Sequence, residues 1–146
     1  MTTTKREQIL AHIDTTLAAT SGVSGRVYRS RQEAFSRSES PSVIVEPGPE
    51  SSGPEAVSTC KIDHTLTLVV AVYARGLIPD QVADPVVQSV HSLLMADRSL
   101  GGLAMDIWPL SRNPGFDAAD GAAVVEVLSY RIRYRTSVTD LSVGAP

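Results

Sequence analysis

Residues 61–75 of this chain (KIDHTLTLVVAVYAR) place the strongest constraint on its fold. Every even-numbered residue from 66 to 72 is Leu or Val, so these side chains share one face of an extended strand. The other face becomes apolar in the second half of the segment, which predicts a central strand covered on both sides there. The apolar stretch 66–74 is about half of the roughly 20 residues that a membrane helix needs. We therefore expect a buried strand and no membrane span.

Two segments have the apolar spacing of amphipathic helices. The first starts at a capping box formed by Thr4 and Glu7, and its apolar residues recur at helical intervals up to Leu17. The second contains Pro85, which predicts either a helix from about residue 80 with a local distortion or a later start with Asp84 as N-cap. The earlier start is favoured.

Further strands are predicted at 26–29, 42–46 and 122–136, with 103–110 as an edge strand because Pro109 limits its pairing. Residues 47–54 (PGPESSGP) and 111–121 (SRNPGFDAADG) are rich in Pro, Gly and Asp, and they predict long loops.

These elements predict one α+β domain over residues 1–138, followed by a disordered tail at 139–146. Its sheet of four to five strands is expected to be mostly antiparallel or mixed, and to pack against two main helices.

Composition narrows the class of protein. The 146 residues include 13 basic and 16 acidic side chains, for a net charge of −3, which argues against a general binder of nucleic-acid backbones. Eleven of the basic residues are Arg, the side chain that favours bidentate pairing at interfaces. The single cysteine, Cys60, excludes an internal disulfide and a Cys-based zinc site. No signal-peptide core is present, and a soluble intracellular domain is expected.

A search for catalytic or metal-binding patterns identifies no good candidate. Asp63 and His64 are adjacent on a strand and point to opposite faces, so we interpret His64 as a surface residue. His12 and His91 lack a partner at the spacing of a zinc-binding helix, and Cys60 has no evident activating base. We expect no enzymatic activity, no metal and no cofactor.

The last strand carries the most suggestive surface. Arg131, Arg133 and Arg135 alternate along one face, roughly 7 Å apart. They either form a solvated face balanced by acids on neighbouring strands or pair with acidic groups of another subunit or partner. The loop that begins with residues 47–54 is predicted to extend to residue 60. Further candidate contact residues on and beside it are Glu46, Glu50, Glu55 and Lys61.

Taken together, the elements between residues 5 and 136 resemble the tail terminator family of long-tailed bacteriophages. The resemblance is carried by the leading helix REQILAHIDTTL, the strand PSVIV, the long strand HTLTLVVAVYAR, the segment IPDQVADPVVQSVHSLL and the final strand SYRIRYRT. The sequence departs from the family pattern in the Pro/Gly enrichment of residues 47–54, in Pro85, and in a longer tail after Thr136.

This resemblance implies a structural virion protein that forms a homo-hexameric ring on the end of the tail tube. The ring would end tail polymerisation, offer a surface to head-completion proteins and let DNA pass through its channel as cargo. The protein would be found in the virion tail, and in the host cytoplasm during assembly. The alternatives are another head–tail connector or tail-completion ring and, from a different class, a small ligand-binding domain or enzyme.

Overall fold

The computed structural model describes residues 3–53, 60–117 and 122–143. Its elements are α1 (Lys5–Leu17), β1 (Val27–Arg29), β2 (Ser42–Gly53), β3 (Lys61–Arg75), α2 (Pro79–Met95), β4 (Asp106–Asp117) and β5 (Ala123–Ser137). The strands form one sheet in the order β1-β2-β3-β5-β4, in which β1 and β2 are parallel and all other neighbours are antiparallel. The two helices and the five-stranded mixed sheet confirm the predicted α+β class.

Both helices pack on the same face of the sheet, called here the helix face. The even-numbered residues of β3 from 64 to 74 lie on it and are buried. Apolar residues of α1 and α2 complete the core, among them Ile9, Ile13, Leu17, Val86, Val90 and Leu94. The opposite face, called the open face, carries Thr65, Thr67 and Val69 of β3, which are only partly buried. The protein is thus a two-layer structure with one sheet face largely uncovered.

The start of α1 shows how a local signal is used in the folded protein. Thr4 is the N-cap, and its hydroxyl accepts a hydrogen bond from the backbone N–H of Glu7 at 3.2 Å, as predicted. The Glu7 carboxylate pairs with Arg29 of β1 and not with the start of its own helix. Both terminal nitrogens of Arg29 donate to this carboxylate, and Nη1 lies 2.7 Å from Oε1. This hydrogen bond lowers the pKa of Glu7. The capping glutamate therefore joins α1 to the first strand.

The second helix begins at Pro79 and includes Pro85, in agreement with the favoured earlier start. Pro79 occupies a first-turn position, where its missing N–H costs no hydrogen bond. Pro85 lies six residues further along, and its side chain is exposed on the surface of the helix. The distortion that a proline introduces is thereby kept out of the core.

The predicted loop at 47–54 is wrong for residues 47–53, which continue β2 alongside β3. Pairing runs from Ser42 with Tyr73 to Gly53 with Asp63, interrupted by a bulge between Pro47 and Glu50. β1 pairs only with residues 43–45, so this part of β2 is a sheet edge. Prolines are tolerated at edges and bulges because no neighbouring strand needs their missing N–H.

The predicted loop at 111–121 is wrong for residues 111–117, and the predicted strand 103–110 begins too early. β4 runs from Asp106 to Asp117 and pairs with β5 along its whole length, with a bulge between Pro109 and Ser111. It is the other edge of the sheet, so Pro109 and Pro114 again face no second neighbour.

Part of the open face is covered by the segment between β1 and β2. Phe35 stacks on Tyr73 of β3 with ring centroids 4.9 Å apart, and the guanidinium of Arg31 lies 4.3 Å from the centroid of the Phe35 ring. Glu39 accepts two hydrogen bonds from Arg31, which lower its pKa to about 2. This cover lies over the last residues of β3, where coverage on both sides was predicted.

The C-terminal segment can be followed to residue 143. The carbonyl of Leu141 accepts a hydrogen bond from the N–H of Lys5 at 2.7 Å, and Ser137 donates to the carbonyl of Val143. Residues 144–146 lie outside the described part of the chain, and the proposed disorder of 139–146 stays a prediction.

Candidate functional site

The structure places the three arginines of β5 on the open face. Their distance from the segment between β1 and β2, which covers part of this face, increases from Arg131 to Arg135. Arg131 lies between Thr67 of β3 and Trp108 of β4, and Arg133 lies between Thr65 and Asp106. Arg135 is opposite Asp63. The period-two pattern of the sequence thus predicted correctly which residues share the face.

Arg135 is neutralised within the chain. It pairs with Asp63 in a two-pronged contact in which one of the two nitrogen–oxygen distances is 3.1 Å. The hydrogen bond from Arg135 lowers the pKa of Asp63, and the same contact raises the pKa of Arg135. Of the two predicted possibilities, Arg135 therefore fits the first, because an acid on the neighbouring strand of the same chain balances its charge.

Arg131 and Arg133 have no such partner among the described residues. Asp106, the acid beside Arg133, instead accepts hydrogen bonds of 2.7 and 3.0 Å from Arg98. Arg133 is exposed, and Arg131 is half-buried with its Nε atom shielded from solvent and without a hydrogen-bond partner. Two cations therefore lie side by side, roughly 7 Å apart, without a counter-charge that binds them.

Trp108 completes this part of the surface. Its ring is 48% exposed, opposite Arg131, and the guanidinium of Arg98 lies 4.9 Å from the ring centroid. We call Arg131, Arg133, Trp108, Thr65 and Thr67 the sheet cradle. An apolar ring beside two free guanidinium groups and two hydroxyls is suited to a partner that offers both a carboxylate and an apolar side chain.

The other predicted contact residues are not brought together. Glu46 lies on the open face opposite Val69, whereas Glu50 is paired with Leu66 on the helix face and accepts a hydrogen bond from Tyr134. Burial, with this hydrogen bond, raises the pKa of Tyr134 above its usual range. Lys61 begins β3 opposite Ser137. Glu55 lies outside the described residues.

The interpretation of His64 as a surface residue is wrong. His64 is 4% exposed, its Nδ1 lies 2.9 Å from the hydroxyl of Ser52, and its Nε2 lies 2.8 Å from the hydroxyl of Thr136. The ring also stacks on Tyr134 at a centroid distance of 4.6 Å. The expected separation from Asp63 is correct, since that carboxylate points to the open face. His64 thus acts as a bridge between three strands.

A groove that sequence reasoning did not anticipate runs between α2 and β4. It encloses about 400 Å³ and is lined in part by Gln88, His91, Leu110 and Tyr130. His91 Nδ1 lies 3.1 Å from the Tyr130 hydroxyl, and burial raises the pKa of Tyr130 to about 12. The groove exists because α2 covers β3 and β5 and leaves most of β4 exposed.

A neighbouring pocket, which shares Asp84 and Arg112 with this groove, contains a buried carboxylate. Glu126 is 3% exposed and accepts a hydrogen bond of 2.8 Å from Arg112, which also contacts Asp84 of α2 at 3.2 Å. The sequence carried a signal for this arrangement, because Glu126 interrupts an otherwise apolar face of the last strand. Arg112 pairs with both carboxylates within the chain, so we interpret this arrangement as structural.

A second unmatched surface lies where β3 leads into α2. Leu77 is fully exposed at 101%, Ile78 is 56% exposed and Val82 is 38% exposed. Asp80, also exposed, lies among them and has no side-chain partner in the described residues. We call residues 77–82 the α2 knob. Nothing in its local sequence except the run Gly76-Leu77-Ile78 ahead of a proline could have signalled it.

No group of three or more His, Cys, Asp or Glu side chains suited to a metal ion occurs in residues 3–53, 60–117 and 122–143.

None of the helices in the described chain has the length and apolar character needed to cross a membrane.

Comparison with known proteins adds little to this geometry. No family model matches the sequence, and no curated protein matches it. Among solved structures, the chain is similar to one in the virion of a native gene transfer agent (GTA) particle, with 15% sequence identity and a TM-score of 0.47. The alignment covers 89% of this chain and 90% of that chain. A likeness at this identity and TM-score carries no argument about function.

Proposed function

We propose that this protein is a structural subunit of a ring that caps the tail tube of a phage. The ring ends tail polymerisation and presents a surface to head-completion proteins, and DNA passes through its channel. The resemblance of residues 5–136 to the tail terminator family supports this proposal, and the segments that carry the resemblance lie in helices and strands of the fold. Its place is the virion tail, after assembly in the host cytoplasm.

One observation carries the proposal furthest: on the open face, neither Arg131 nor Arg133 forms an ion pair within the described residues, and the nearby Asp63 carboxylate, which attracts Arg133, is already bound by Arg135. A stable monomer gains nothing from two adjacent cations, one with a buried and unpaired Nε, because the desolvated donor costs free energy until it meets an acceptor. An acidic surface of a neighbouring subunit would satisfy both groups. Arg135 supports the same face indirectly, through its pair with Asp63.

In a closed ring, this arginine-containing surface would form a contact between neighbouring subunits. A ring whose subunits satisfy one another saturates the end of a tube, because no further copy of the polymerising surface remains exposed. Such a protein needs specific contact surfaces and a channel, and it makes or breaks no covalent bond. The proposed partners are other copies of this chain in a hexamer, the tail tube protein and a head-completion protein.

The test is a native mass measurement of the purified protein, alone and after incubation with tail tubes. We expect hexamers, either free or formed on the tubes. Replacing Arg133 by Glu should reduce hexamer formation or capping, whereas Arg37→Glu is a matched control, since Arg37 is exposed on the distant segment between β1 and β2. A protein that stays monomeric with and without tubes would contradict the proposal, whereas full assembly of the Arg133 variant would contradict only the role given to this residue in the subunit contact.

A further inference from the structure

The α2 knob is held rigidly although its tip is exposed. The N–H of Gly76 donates to the carbonyl of Ala122 at 3.0 Å, and Pro79 is buried. The N–H groups of Gln81 and Val82 both donate to the carbonyl of Ile78. Because this backbone is already fixed, the exposed leucine loses little backbone conformational entropy when it binds, which favours a preorganised contact.

The knob and the sheet cradle have complementary chemistry. The knob offers the Asp80 carboxylate, which has no side-chain partner among the described residues, next to exposed Leu77 and Ile78. The cradle offers two guanidinium groups that form no ion pair within residues 3–53, 60–117 and 122–143, next to half-exposed Trp108. A cation–carboxylate contact flanked by an aliphatic–aromatic contact is typical of specific protein interfaces.

The two surfaces cannot meet within one chain. The knob follows Arg75 at one end of β3, whereas Arg133 is paired with Thr65, ten residues back along the same strand. At about 3.3 Å per residue the separation is roughly 33 Å. Two different, mutually complementary patches on one rigid subunit define a head-to-tail contact, which generates a ring when its rotation closes.

We propose that the α2 knob of one copy docks on the sheet cradle of the next copy, with Asp80 facing Arg133 and Arg131. This inference rests on the proposed ring and identifies its subunit contact.

Strand addition at β4 is a poor alternative for the contact. Pro109 and Pro114 are paired with Tyr130 and Glu126, which are four residues apart, so both prolines have the same orientation in the ladder. A proline has no N–H to give to β5, so these positions face outward, where an added strand would find two donors missing. The contact therefore depends on side chains.

Charge exchange tests the contact directly. Asp80→Lys and Arg133→Asp, each alone, should lower the association constant of the subunits about tenfold or more, because each places like charges together. The two substitutions combined in one chain should restore association. An equimolar mixture of the two single variants should do the same in rings with alternating subunits. The readout is native mass and sedimentation over a range of protein concentrations, with far-UV circular dichroism to check folding.

Matched controls are available on the segment between β1 and β2. Glu33 and Arg37 are exposed and belong to neither surface, so Glu33→Lys and Arg37→Asp, which make the same changes of charge, should leave association unchanged. Leu77→Ser should weaken association in a way that neither charge substitution repairs.

The outcomes separate this inference from the proposed function. Hexamers that form normally with either single charge variant, or that are not restored by the combination, would overturn the knob–cradle contact and leave the ring standing. A wild-type protein that never associates, alone or on tubes, would overturn both.

Discussion

The buried Glu126–Arg112 pair allows a quantitative prediction about stability. Glu126 has 4% of its side chain exposed and Arg112 has 43%, whereas Asp84, the second partner of Arg112, has 67%. Replacing Arg112 by Met leaves the Glu126 carboxylate buried without its charged donor. Breaking a fully buried pair costs about 3–5 kcal/mol, and a charge-assisted hydrogen bond contributes about 1.5–3 kcal/mol.

Because Arg112 is half-exposed, water can reach part of the vacated site, and we expect a loss of about 2–3 kcal/mol in the free energy of unfolding for Arg112→Met. Asp84→Asn is the matched control, since it removes only the exposed partner and should cost less than about 1 kcal/mol. Glu126→Gln combined with Arg112→Met should recover part of the loss, because no charge is then left buried.

The assay is equilibrium urea unfolding followed by far-UV circular dichroism, at protein concentrations low enough to keep the oligomeric state constant. Glu126→Gln alone, together with Arg112→Met and the combined variant, closes a double-mutant cycle, which isolates the pair from other effects of each substitution. If Arg112→Met costs no more than Asp84→Asn, the carboxylate is not desolvated in the way described, and the reasoning is refuted.

Two further predictions concern the β2 bulge and the segment that covers the open face. A Cβ added at Gly48 would lie 2.8 Å from the backbone carbonyl oxygen of Thr67, so Gly48→Ala should lower the free energy of unfolding by about 1–3 kcal/mol. A Cβ added at Gly115 would lie 3.7 Å from the carbonyl oxygen of Val125, so Gly115→Ala should cost little in the same urea titration. Arg31 lowers the folded-state pKa of Glu39 from 4.5 to about 2, so the stabilisation from this pair is complete above about pH 4.5 and is lost as the pH falls toward 2. Thermal unfolding between pH 2 and 6 should show a weaker pH dependence for Glu39→Gln, and an unchanged dependence would contradict the assignment.

The elements that the sequence predicted well are those whose signal is local. The start of α1 follows from the Thr4 side chain and one backbone N–H nearby, and β3 was predicted at Lys61–Arg75 because its alternation extends over fifteen residues. Each of these signals acts within a few residues of chain. Contacts with distant parts of the chain therefore did not change the predicted start of α1 or the predicted bounds of β3.

The two strand extensions could not be predicted because their stabilising partners are distant in sequence. Residues 47–53 and 111–117 contain the amino acids of turns, and only pairing with β3 and β5 makes them strands. Proline counts against a strand when both neighbours are assumed to be present. It loses that meaning at an edge, and a single sequence does not reveal which strands are edges.

The candidate site, like the fold, was predictable where the signal lies within one strand and not where it depends on contacts between strands. Alternation along β5 placed the three arginines on one face, as observed. It could not tell that Asp63 would neutralise Arg135, nor that Asp106 would bind Arg98 and leave Arg133 free. Those outcomes depend on the register between strands, which the sequence alone does not specify.

The outward-facing prolines of β4 have a consequence for how this protein can associate. Sheets that join edge to edge can extend without limit, since each added strand presents the same hydrogen-bonding groups as the last. With Pro109 and Pro114 on its outer edge, β4 offers an interrupted template for such growth. Growth by strand addition at this edge is therefore interrupted, and any association at β4 is left to side chains.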